Sequence, residues 1–268
     1  MVKSEKVFLE LSRRKYLYSA VSAVSLPFVD YSMFNNYSLG SNSISNKQSR
    51  KGDFVNVLSF QLSCKRPFCH NLVESIIREA MLKLDKIDLV TFSSLNFNLT
   101  RKSLEFLKKI SQKYSFYISL GLFNFDSFSK KEKNFIYLLL SPYGELFNSN
   151  EGNCLRVNTR VGSIFFLHPE VHSDYRYWPS VLDADIIIYN DYSHSNNLIS
   201  SLLKTTVNEK SFLIYSSHFS SLLKEGSTIF GRNNEIISQA SSDLDQGIIG
   251  QLNFVNSRQV KQFDGEFV

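Results

Sequence analysis

Residues 54–92 read FVNVLSFQLSCKRPFCHNLVESIIREAMLKLDKIDLVTF, and their pattern decides the fold class. Phe54 to Leu62 set β-branched and aromatic residues in near alternation, which is the signature of a strand. From Asn71 to Leu84 the period changes. Leu72, Ile76, Ala80 and Leu84 recur at the spacing that lines one face of a helix. Asp88-Leu89-Val90-Thr91-Phe92 then returns to a short strand.

Outward from this unit the pattern continues. A helix is expected from Thr100 to Lys113, with Leu104, Leu107 and Ile110 inward, and strands at Tyr117–Phe123 and Phe135–Leu140. Ser141-Pro142-Tyr143-Gly144 is a tight turn into Glu145-Leu146-Phe147. Arg160 to Phe166 reads as a strand, followed by a loop, a helix around Tyr175–Leu182 and the apolar strand Ile186–Tyr189. Asn197–Val207 suits a helix, and Phe212–Tyr215, Ser227–Phe230, Glu235–Ala240 and Ile248–Phe254 suit strands, with Asn233-Asn234 as a turn. The order predicts an α/β fold of two sheets with helices on the outer faces.

Composition supports a folded chain: 43% of the 268 residues are hydrophobic, with 23 Phe and 13 Tyr. The net charge of +5 is unevenly placed. Residues 1–53 carry eight Lys/Arg and four Asp/Glu, whereas the remaining 215 carry 22 and 21. A near-neutral globular part lacks the concentrated basic face that nucleic-acid binding needs. Three cysteines, Cys64, Cys69 and Cys154, are too few and too odd for a disulfide framework and read as free thiols.

The first residues divide differently. Ser12-Arg13-Arg14-Lys15-Tyr16-Leu17 resembles a twin-arginine export signal, and the apolar run Tyr18–Val29 is too short for a membrane span but suits a signal core. The other reading is an amphipathic helix with a basic face, since Glu5 and Glu10 dilute the charge and no clean Ala-x-Ala site follows. The expected organisation is a signal segment at 1–31, a Ser/Asn-rich linker at 32–53, a domain at 54–255 and a tail at 256–268. If the signal is real the protein is exported to the periplasm, and an uncleaved signal would anchor it; otherwise it is cytoplasmic.

Several segments, taken in order, resemble the nitrilase superfamily of carbon–nitrogen hydrolases. Val57–Leu62 with Asn71 and Glu74 is similar to the family's first strand and helix. Asp88–Phe92 resembles the strand that precedes the catalytic Glu, and Pro142-Tyr143-Gly144-Glu145-Leu146 resembles the family's Pro-Asp-Gly-Glu turn. Arg160–Phe166 resembles the strand leading to the nucleophile, Asp183–Ile188 the strand after it, and Gly231–Ala240 the late hairpin. The resemblance implies an αββα sandwich that dimerises by stacking two sandwiches.

The family's reaction uses a Cys nucleophile, a Glu base and a Lys that stabilises developing charge. Aligned on the motifs above, Ser94 stands in the Glu position, Gly152 in the Lys position and Phe166 in the Cys position. No Lys lies between Lys133 and Lys204, and Cys154 precedes the nucleophile strand. The expectation is a nitrilase-like protein without catalysis, serving in binding or structure, with no cofactor and no metal.

The rival expectation is a hydrolase with a rebuilt site. Ser94 with His168 or His172 would supply a nucleophile and base, without a Gly-x-Ser-x-Gly elbow. His168-Pro169-Glu170-Val171-His172-Ser173-Asp174 also has zinc-ligand types, but Pro169 argues against the helix that would aim both histidines at one ion. Its plainer reading is a solvated loop. Asp191, His194, Asn196 and Asn197 follow the Asp183–Ile188 strand, where the resemblance puts substrate-contacting groups; the plainer reading there is a turn and helix cap. The remnant pocket is therefore expected among Ser94, Phe166, His168, Glu170, His172 and Asp191.

Overall fold

A computed structural model describes residues 8–9, 54–62, 68–95, 100–123, 135–149, 155–167, 184–191, 211–217, 226–232, 235–241 and 246–254. The expectations at Arg13, Arg14, Gly152, His168, Glu170 and His172, and the helices expected near 175–182 and 197–207, lie outside these residues.

In chain order the elements are β1 (Phe8–Leu9), β2 (Phe54–Gln61), α1 (His70–Lys83), β3 (Leu89–Leu95), α2 (Arg101–Tyr114), β4 (Tyr117–Phe123), β5 (Phe135–Leu140) and β6 (Leu146–Asn148). Then follow β7 (Leu155–Thr159), β8 (Gly162–Leu167), β9 (Ile186–Asp191), β10 (Phe212–Ser217), β11 (Thr228–Phe230), β12 (Ile236–Gln239) and β13 (Gln246–Asn253). One sheet runs β1-β13-β2-β3-β4-β5-β6 and the other β12-β11-β10-β9-β8-β7. β2, β3 and β4 are parallel to one another, as are β8, β9 and β10, and the flanking pairs are antiparallel.

Alternation along the strands builds the layers. Val55, Val57, Leu89, Tyr117, Tyr137 and Leu139 pack between the sheets against Ile164, Phe166, Ile186, Ile188, Phe212 and Ile214. The opposite face of the first sheet, Leu58, Phe60, Val90, Phe92, Ile118 and Leu120, packs under α1 and α2. The helices meet it with Val73, Ile76, Ile77 and Ala80, and with Leu107 and Ile110. Phe165, Leu167, Ile187, Tyr189, Leu213 and Tyr215 form a third buried cluster on the outer face of the second sheet. The two sheets packed face to face, with α1 and α2 outside the first, form the α/β sandwich expected from the sequence.

Local chemistry fixes the boundaries. The Thr100 hydroxyl caps α2 by accepting from the Ser103 amide at 3.1 Å. Ser115 ends the helix in the left-handed region at φ 57°. In the turn before β6, Gly144 has φ 83° and donates to the Ser141 carbonyl at 3.0 Å, while the Ser141 hydroxyl accepts from Glu145 at 3.1 Å.

One stretch differs from the sequence reading. The strand expected over Arg160–Phe166 starts two residues later, as β8, and a strand not expected, β7, pairs with it in a hairpin whose turn is Arg160-Val161. Gly162, at φ 123°, permits the turn, and the Thr159 hydroxyl donates to its carbonyl at 2.7 Å. β13, last in the chain, lies in the first sheet and pairs along its length with β2. Phe8 and Leu9 lie beyond it, opposite Ile248 and Gly247. Among the described residues no helix is long and apolar enough to cross a membrane.

Candidate functional site

The two parallel triplets run so that the carboxyl ends of β2 and β3 face those of β9 and β10. Open α/β sheets place ligands at such ends. Along each strand the inter-sheet face starts apolar and turns polar. On β2, Val55 and Val57 give way to Ser59 and Gln61; on β3, Leu89 gives way to Thr91 and Ser93. On β4, Tyr117 gives way to Ser119; on β9, Ile186 and Ile188 give way to Asn190; on β10, Phe212 and Ile214 give way to Ser216. All these polar side chains are buried, so each forfeits its hydration and needs a partner.

Part of this seam is satisfied across the gap. The Ser216 hydroxyl lies 3.3 Å from that of Ser59 and 3.5 Å from that of Thr91. Gln61 Oε1 accepts from the Ser227 amide at 2.7 Å and the Ser217 hydroxyl at 3.5 Å, and its Nε2 donates to the Ser241 carbonyl. Gln61 thereby ties the end of β2 to the second sheet. Ser227 and Ser217 add a reciprocal pair, each accepting from the other at 3.0 Å.

Phe166 lies on the neighbouring β8, level with the apolar Ile188 rather than with Asn190. It is fully buried on the inter-sheet face, with its ring centroid 5.1 Å from that of Tyr137 on β5. The Tyr137 hydroxyl donates to the Leu167 carbonyl at 2.7 Å and accepts from the Asn190 amide at 3.3 Å. Phe166 is therefore packed against β5, whereas β3 lies opposite β9 and β10. Ser94 stands in a bulge of β3: Phe92 is level with Leu120 and Leu95 with Leu122, leaving Ser93 and Ser94 opposite Gly121. Asp191 is the last residue of β9. Cys69 is exposed at the start of α1.

Sequence reasoning missed Tyr137, Asn190, Ser93 and Ser119. The signal for Asn190 was present, since it continues the alternation Ile186, Ile188 onto the same face. No charged side chain joins this seam among the described residues, and none of their His, Cys, Asp or Glu groups cluster in threes as a metal would need. The resolved shift inside the sandwich lies at the far end, where burial raises the Tyr117 phenol and Arg160 partly opposes it. There the Tyr117 hydroxyl accepts from the Arg160 amide at 3.4 Å, and the guanidinium donates to the Ser115 carbonyl.

The fold has counterparts among solved structures. A carbon–nitrogen hydrolase from Helicobacter pylori G27 matches with a TM-score of 0.57 at 13% identity, over 78% of this chain and 92% of that one. An amidase from Nesterenkonia sp. matches with a TM-score of 0.57 at 10% identity, over 78% and 95%. A mutant of the Nesterenkonia sp. AN1 amidase in complex with butyramide matches at 0.56 and 10%, over 80% and 97%. The chain has the nitrilase-like sandwich fold of these hydrolases. No protein-family model and no curated protein matches its sequence.

Proposed function

We propose that this chain keeps the nitrilase-like scaffold without its reaction and serves in binding or structure. The observation that carries the reading is Phe166. At the position aligned with the family's nucleophile stands a fully buried phenyl ring against Tyr137. A ring offers no lone pair to attack a carbonyl, and its packing leaves that place filled by hydrocarbon. The alignment of Ser94 and Gly152 with the base and the lysine points the same way, because neither side chain abstracts a proton near neutral pH or carries a positive charge.

The test is ammonia release from a panel of amides and nitriles by the full chain, with and without thiol alkylation. The expected result is release no faster than in buffer. Turnover that alkylation abolishes would contradict the reading and assign the reaction to Cys64, Cys69 or Cys154. Turnover lost in Ser94→Ala would establish a rebuilt hydrolase instead.

A further inference from the structure

The first sheet has one edge that residues 54–254 leave open. β13 pairs along its whole length with β2 on one side. On its other side the sheet ends in β1, where Phe8 is level with Ile248 and Leu9 with Gly247. An open strand edge offers a row of unpaired amides and carbonyls, a template for any extended segment. β1 runs antiparallel to β13 and lies beside α1, so the segment meets the domain at two elements.

Sequence and position agree on why this segment takes the edge. Val7-Phe8-Leu9 is an apolar run between the charged Lys6 and Glu10, and β-branched and aromatic residues favour a strand. The pairing is intramolecular, and such linkage raises the effective concentration to the order of a millimolar, so contacts too weak to hold a free peptide suffice. β13 is the last strand of the chain, so its edge exists only once the first sheet is complete. We propose that the outer edge of β13 is a docking site for an extended peptide, that its occupant is the chain's own N-terminal segment around Phe8-Leu9, and that docking shields Arg13-Arg14-Lys15 from any partner that must grip this basic stretch in extended form. Arg13 follows Leu9 so closely that it reaches at most about 14 Å from it. A partner the size of a protein domain therefore meets the sandwich before it closes on the arginines. The folded domain withholds the basic stretch, and release of the strand presents it. This clasp stands whether or not the chain hydrolyses amides.

Hydrogen–deuterium exchange of the full chain, with limited trypsin digestion in parallel, tests it. The amides of residues 8–9 and 246–253 are expected to be protected together. The double variant Phe8→Pro with Leu9→Pro removes both donors of the strand. It is expected to speed exchange in 246–253 while β3 and β4 keep their protection. Cleavage after Arg13 is expected to quicken about ten-fold in the variant, because a protease samples the open fraction, and to be equal in both chains once they are unfolded. Free-chain exchange at residues 8–9 of the unaltered protein would overturn the docking, and this result needs no variant that folds. Equal exchange at 246–253 and equal cleavage in the two chains would overturn it as well. Protection that disappears on dilution, with a dimer at the higher concentration, would give the strand to a second copy and overturn the occupant.

Discussion

The Tyr137 hydroxyl touches two strands of the opposite sheet, through the Leu167 carbonyl at 2.7 Å and the Asn190 amide at 3.3 Å. Its ring supports Phe166. Replacing it with Phe keeps the apolar contact and removes the hydroxyl, leaving a buried carbonyl without that partner. The expected loss is about 1–3 kcal/mol of stability, read from the urea unfolding midpoint. A midpoint unchanged in Tyr137→Phe would show that water replaces the hydroxyl. Phe166 illustrates why a residue can be found in the sequence while its role is not. Counting from Gly162 placed it, but its neighbour Tyr137 lies on another sheet and follows from no local pattern.

Among elements, α2 shows how much local chemistry the sequence carries. Thr100 precedes an amphipathic stretch, and the structure has its hydroxyl on the Ser103 amide. Thr100→Ala is expected to cost about 1 kcal/mol in thermal or urea unfolding, with the fold unchanged; a difference within error would mean the cap is replaced by solvent. β4, β5, β9 and β10 were legible because their apolar runs are bounded by polar residues. β7 was not, because Leu155-Arg156-Val157-Asn158-Thr159 is a half-exposed edge strand whose pairing is decided by the Arg160-Val161 turn. The bulge at Ser93-Ser94 was illegible for a related reason: it exists only relative to β4. The strands that carry the candidate seam were legible, but its members Ser93, Ser119 and Asn190 were not, because which polar side chains meet depends on how two sheets face each other.

For the whole molecule, the two ends of the sandwich differ in character. At the amino ends of the parallel strands, Tyr117 and Arg160 close the interior, and burial raises the phenol above its ordinary value of 10.0. The unfolded chain loses that proton first as pH rises, so the folded state holds more protons between 10.0 and the raised value. The contribution of this group to stability is therefore complete below pH 10.0 and falls through this window. Tyr117→Phe is expected to flatten that part of the stability–pH curve, and an unaltered slope would place its origin in other groups. At the carboxyl ends the buried side chains among the described residues, Ser59, Thr91, Ser93, Ser119, Asn190 and Ser216, are polar.

The central claim, that no residue takes the family nucleophile's part, is open to a direct measurement. Covalent amide hydrolysis joins the nucleophile to the carbonyl carbon and releases ammonia, leaving an acyl group on the protein until water removes it. The full chain mixed with butyramide, quenched in acid and weighed intact by mass spectrometry, is expected to keep its unmodified mass at every time point. A butyryl adduct that forms and decays, mapped to a cysteine or to Ser94, would contradict the account and name the nucleophile.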